Sequence, residues 1–151
     1  MKKILFFTFF SVLFLSYTLA FAQTAEGDKL TGTWLVGSGK AHIKITKYSD
    51  KYMGKIAWLK EPNNEEGKPK VDKNNPDASK RNVPLLGYTN LIGFKYKGNA
   101  TWEEGTIYDA ESGNTYKCII KMTDDNTLNV RGYVGVSLFG RTDIWKRVPN
   151  K

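Results

Sequence analysis

Apolar and polar residues alternate along most of the chain with a period of two. Ala41, Ile43 and Ile45 oppose His42, Lys44 and Thr46, and Leu128, Val130 and Val134 oppose Asn129, Arg131 and Tyr133. Such alternation marks strands with one face buried and the other wet, as in antiparallel sheets. Eight strands are predicted, over residues 31–36, 40–48, 52–59, 91–96, 101–108, 115–122, 127–134 and 141–148. Turn-forming residues separate them, among them Ser49-Asp50-Lys51, Lys97-Gly98-Asn99, Glu111-Ser112-Gly113-Asn114 and Asp124-Asp125-Asn126. Beyond the first 22 residues no long helical period occurs. The expected fold is all-β, an up-and-down antiparallel barrel of about eight strands, because closure removes unpaired edges.

Two segments depart from this rhythm. At the start, Lys2 and Lys3 precede an apolar stretch from Ile4 to Leu15, and Ala20-Phe21-Ala22 supplies small residues for a cleavage site. This is the pattern of a secretory signal peptide cut after Ala22, and the apolar run is short for a transmembrane anchor. The expected division is residues 1–22 as signal and 23–151 as a single exported barrel domain, periplasmic or released. No later apolar run approaches the roughly 20 residues that span a bilayer. The second segment, 61–84, holds four prolines, five acidic and five basic residues, and only Val71, Ala78 and Val83 as aliphatics. A structureless stretch of that length is uncommon in a compact domain and tends to be functional or disordered. Its second half is rich in Asp and Asn, which bond their own backbone, so that half is expected to fold over one barrel end.

Composition narrows the chemistry. The chain has one Cys and one His, 14 Gly, four Trp and a net charge of +8. Cys118 has no partner for an internal disulfide, and its parity with Tyr116, Ile120 and Met122 points it into the core. His42 lies on the polar parity. One His and one Cys do not make a tetrahedral zinc site, and a Ser–His–Asp arrangement would rest on His42 alone. No cofactor or metal is expected and no catalytic residue is assigned. Glu103 and Asp109 are the carboxylate pair a hydrolase would need, which leaves such an enzyme as a third reading. Without the first 22 residues 21 basic residues remain against 15 acidic ones, spread over outward positions rather than gathered in a block. That distribution suits a solvated barrel exterior with some attraction to an anionic envelope surface, and it does not suggest a nucleic-acid partner.

Gly32-Thr33-Trp34 at the first strand resembles the Gly-x-Trp signature of lipocalins and the wider calycin group. There the Trp plugs the closed end and a C-terminal Arg packs across it; Trp145 and Arg147 stand where that partner is needed. A more extensive resemblance runs through Gly54-Lys55-Ile56-Ala57-Trp58, Asp72, Asn75-Pro76-Asp77, Arg81 and Pro84-Leu85-Leu86-Gly87. It continues through Trp102, Gly105-Thr106-Ile107-Tyr108-Asp109, Gly113, Tyr116, Val130-Arg131-Gly132-Tyr133-Val134-Gly135, Leu138-Phe139-Gly140-Arg141 and Trp145. This order is similar to a family of secreted bacterial proteins of unknown function whose fold is lipocalin-like. Glu104 stands where that family often has a second Gly, and Ala110 where it often has Pro, which leaves local turn geometry open.

The resemblance implies a barrel and brings no activity. An eight-stranded barrel holds one small ligand, and amphipathic aromatics suit such a pocket. The expected lining or mouth residues are Trp58, Trp102, Tyr108 and Tyr133, with Arg81 or Arg131 orienting a polar end and Asp109 beside them. Gly32, Trp34, Asp72, Asn75, Asp77, Gly132, Arg141, Trp145 and Arg147 are expected to be structural. Asp72, Asn74, Asn75 and Asp77 suit either a cation or Asx turns and caps, with the turns favoured. Arg81, Arg131 and Arg141 are candidates to pair with Asp72 or Asp109. The expected function is binding of a small, partly apolar ligand in the cell envelope. The alternative is a filled barrel that contacts an envelope protein or polymer through loop 61–84.

Overall fold

The computed structural model describes residues 25–149, so the expected signal peptide at 1–22 lies outside the described residues. Eight strands follow one another: β1 (Gly32–Leu35), β2 (Ala41–Tyr48), β3 (Lys51–Leu59), β4 (Thr89–Gly98), β5 (Thr101–Asp109), β6 (Asn114–Asp124), β7 (Thr127–Tyr133) and β8 (Arg141–Arg147). Each pairs antiparallel with the next, and β8 returns to β1 through Trp34 opposite Arg147, closing the barrel. The alternation of apolar and polar residues is thus satisfied by an inside and an outside. Among the described residues no helix is long and apolar enough to cross a membrane.

The two ends differ. The β2–β3, β4–β5 and β6–β7 hairpins, with a helical turn over residues 25–28, form a closed end. The remaining connections, including 60–88, form the mouth. At the closed end the indole of Trp34 is fully buried and donates to the Leu30 carbonyl at 3.0 Å. The Arg147 guanidinium stacks 4.1 Å above that ring and donates to the carbonyls of Lys29, Thr31 and Asp125. Gly32, at φ 132°, leaves room for it: a Cβ there would lie 2.7 Å from Nη1 of Arg147. Asp28 binds the Tyr52 hydroxyl at 2.6 Å and the Lys47 ammonium at 2.7 Å. The ammonium first, then the hydroxyl, hold its carboxyl below the ordinary range.

Trp34, Phe94, Trp102, Ile120, Leu128 and Trp145 fill the interior. Gly105 lets the Phe94 ring cross the barrel, for a Cβ there would stand 2.4 Å from it. Cys118 belongs to this core, and burial pushes its thiol up to about 12. A thiolate is the reactive form. Cys118 will therefore resist maleimide in the native protein and label fully in denaturant; rapid native labelling would refute the packed core.

Two bulges change what local parity implies. In β3, Trp58 pairs with His42 while Ile56 pairs with Ile43, so Ala57 is an extra residue. In β5 the register shifts between Trp102 and Gly105, and Glu104 sits there at φ 66°. That left-handed conformation is the one glycine adopts without strain. The Glu104 carboxylate is held by Lys95 at 3.0 Å and by Lys97.

Candidate functional site

The mouth is roofed by the β3–β4 connection, and its ordered half is locked by a buried carboxylate. Asp72 is fully buried; its Oδ1 accepts the Tyr108 hydroxyl at 2.8 Å and its Oδ2 accepts Nδ2 of Asn75 at 2.6 Å. Burial, and then this bond to Asp72, push the Tyr108 hydroxyl up to about 12. Tyr88 packs against Tyr108 with ring centroids 5.5 Å apart. Asn75 accepts from the Asp77 backbone N–H, and Asp77 caps the 3-10 turn Ala78–Lys80 by accepting from Ser79. Asn74 reaches across to the β5–β6 turn and donates to the Glu111 carbonyl at 2.8 Å. Asp and Asn thus act through turns and caps, as their chemistry favours.

Against this connection, at the barrel rim, lies a partly open cavity of about 430 Å³ lined by half-buried and exposed residues, within the size of small-ligand sites. Leu59, Pro69, Val71, Leu85 and Ala110 supply apolar wall, and Asn64 and Asn74 supply amides. Four lysines, Lys40, Lys60, Lys70 and Lys73, stand against two carboxylates, Glu61 and Glu111. Lys40 pairs with Glu111 at 3.4 Å and Lys70 with Glu61 at 3.1 Å. Among the described residues neither Lys60 nor Lys73 has an acidic partner within ion-pair distance. The cavity thus combines apolar wall with an excess of two cations, suited to a molecule with an apolar body and an anionic group.

None of the seven residues expected to bind ligand lines this cavity. Trp58, expected as a lining or mouth residue, lies on the outer wall near the mouth: the Ala57 bulge turns it toward His42, with ring centroids 4.4 Å apart, and leaves it 41% exposed. Trp102 is a floor residue, fully buried and donating to the Gly27 carbonyl. Tyr108 serves the Asp72 lock. Asp109 makes the β5–β6 turn by accepting from Glu111 N and the Ser112 hydroxyl. Arg81 donates to the Asn75 carbonyl. Arg131 and Tyr133 share the outer parity of β7, and Arg131 donates to the Ser137 and Leu138 carbonyls.

The expected arginine–aspartate pairs are likewise corrected. Among the described residues Arg81, Arg131 and Arg141 form no ion pair, and neutral donors satisfy Asp72. Arg141, opposite Gly132 at the start of β8, is exposed, while Trp145 is buried and donates to Asp143. Most cavity residues were signalled in the sequence only by the length and charge of segment 61–84; Lys40, Leu59 and Lys60 carried no local mark.

Comparison with known proteins agrees with this architecture. A solved structure, titled "Protein HP1028 from the human pathogen Helicobacter pylori belongs to the lipocalin family", superposes with a TM-score of 0.70 at 21% identity, covering 80% of this chain and 84% of that one. At that identity the likeness concerns the fold. No curated protein matched the sequence. The family described as "Uncharacterized protein conserved in bacteria (DUF2147)" matches over residues 32–147, from the first strand to the last, and the chain belongs to it.

Proposed function

We propose that this member of an uncharacterized bacterial family binds a small, partly apolar ligand with an anionic group, in the cell envelope. The observation that carries the reading is the rim cavity, apolar over much of its wall and edged by Lys60 and Lys73, which form no ion pair among the described residues. An ammonium beside apolar wall attracts an anion more strongly than one in open water. The envelope location rests on the signal-like pattern of Lys2, Lys3 and Ala20-Phe21-Ala22. The packed closed half favours a second reading, in which loop 61–84 contacts an envelope protein or polymer.

Calorimetric titration with dodecanoate, dodecanol and dodecyltrimethylammonium separates these. Dodecanoate is expected to bind, with dodecanol at least about tenfold weaker and the cation weaker still. Substituting Lys60→Glu together with Lys73→Glu should lower dodecanoate affinity by about tenfold or more without moving the unfolding midpoint. Binding that ignores the head group, or that survives both charge reversals, would remove the anionic preference. No binding by any of the three would favour the loop-contact reading.

A further inference from the structure

The β7–β8 connection projects apolar side chains into solvent at the same end as the cavity. Leu138 and Phe139 are 78% and 80% exposed, and Val134 and Val136 in the same loop are 72% and 58% exposed. This is not a slack loop. Arg131 donates to two of its carbonyls, Ser137 at 2.8 Å and Leu138 at 3.0 Å, and to the Thr142 hydroxyl of β8 at 2.9 Å. The 3-10 turn Ser137–Phe139 closes by a bond from Gly140 N to the Ser137 carbonyl. Gly140 packs so closely on β7 that a Cβ would lie 2.6 Å from the Gly132 carbonyl. The fold thus fixes the backbone of a tip whose apolar side chains touch little of the protein.

Two basic side chains flank the tip. Arg141 follows it, and Lys117 lies opposite Tyr133 at its root; both are exposed, and neither forms an ion pair among the described residues. The nearest carboxylate in sequence, Asp143, is occupied by the Gly37 N–H and the Trp145 indole. Farther along β8, Ile144 is a separate exposed apolar side chain at 53% exposure. A convex apolar wedge backed by free cations suits a partner that deforms around it and carries negative charge. A protein partner would need a matching concavity, whereas a lipid interface accepts bulky apolar side chains at the level of its headgroups.

We propose that the β7–β8 tip docks this barrel on an anionic lipid bilayer, with Leu138 and Phe139 entering the interface and Lys117 and Arg141 meeting the headgroups. Because the tip and cavity share one end, docking brings the mouth to the bilayer. The proposal does not depend on what the cavity binds.

The test is co-sedimentation with vesicles of phosphatidylglycerol and phosphatidylcholine, and of phosphatidylcholine alone. It uses protein recovered after expression of the full chain, with the same N-terminus verified by mass for every variant. Binding to the anionic vesicles is expected, weakened by salt, and lowered at least about tenfold by Leu138→Asp with Phe139→Asp. The Phe139→Trp protein should show a blue-shifted emission increment only with anionic vesicles. No binding to anionic vesicles would overturn the proposal, as would equal binding by the double variant. A wild type that is dimeric in solution and becomes monomeric on the double substitution, with no vesicle binding by either, would assign the tip to self-association instead.

Discussion

Replacing Trp34 with alanine is expected to destabilise the barrel by about 3–5 kcal/mol, the range for deleting a large buried aromatic. The indole is fully buried, its N–H is satisfied by Leu30, and the Arg147 guanidinium covers its face. The lost area and the cavity left in the floor both act against folding. Arg147→Met tests the other half of the pair. It keeps an apolar stem over the ring but removes donors from three carbonyls and the cation–π contact, for a loss of about 2 kcal/mol. Arg147→Lys should recover only part of that, because an ammonium does not reproduce the planar fork that reaches Lys29, Thr31 and Asp125 together. Urea unfolding followed by tryptophan fluorescence gives all three values. A Trp34→Ala protein within about 1 kcal/mol of wild type would mean that other residues hold this end closed.

The second large effect is expected at Asp72, on both stability and binding. Asp72→Ala leaves the Tyr108 hydroxyl and the Asn75 amide without their shared acceptor in a buried place, which costs about 2–4 kcal/mol. Asp72→Asn is milder for a geometric reason. One side-chain oxygen still accepts, while the new amide nitrogen faces a donor, so about half of the loss should remain. Val71, Lys73 and Asn74 flank the site and line the cavity, so dodecanoate affinity should fall along with stability. Tyr108→Phe separates the two sources, since it removes one donor and leaves the carboxylate in place. Measuring melting temperature and dodecanoate affinity on the three variants checks this; a melting temperature unchanged in Asp72→Ala would show that the roof is held by its backbone bonds alone.

Much of the architecture was legible because it is local. A period of two in Ala41–Tyr48 or Thr127–Tyr133 follows from the pleat of a single strand, and the joining Gly, Asn and Asp residues are read from turn chemistry. The eight expected strands match the eight observed with small shifts at their ends. Gly32, Trp34 and Arg147 were visible as a set through resemblance, and the geometry supplies the reason, with the missing Cβ of Gly32 making room for the guanidinium. The long segment 61–84 stood out by length and charge.

What was not legible depends on residues far apart in sequence. Trp58 follows the parity of Ile56 on paper, and only the pairing of β3 with β2 shows that Ala57 is extra and that the indole lies outside. Asp72 and Tyr108 meet across 36 positions, and no local pattern pairs a buried carboxylate with a hydroxyl rather than with Arg81. The cavity gathers Lys40, Leu59, Lys60, Val71, Leu85 and Glu111 from four segments. By itself, then, the sequence determined an antiparallel barrel of about eight strands with one long loop, because strand alternation and turn chemistry are properties of neighbouring residues, whereas its closure through Trp34 and Arg147 is a tertiary fact. The tertiary structure decided which aromatics face inward and where the cavity and its cations lie, because a bulge is defined only against the partner strand and a concave site only by the segments that close around it.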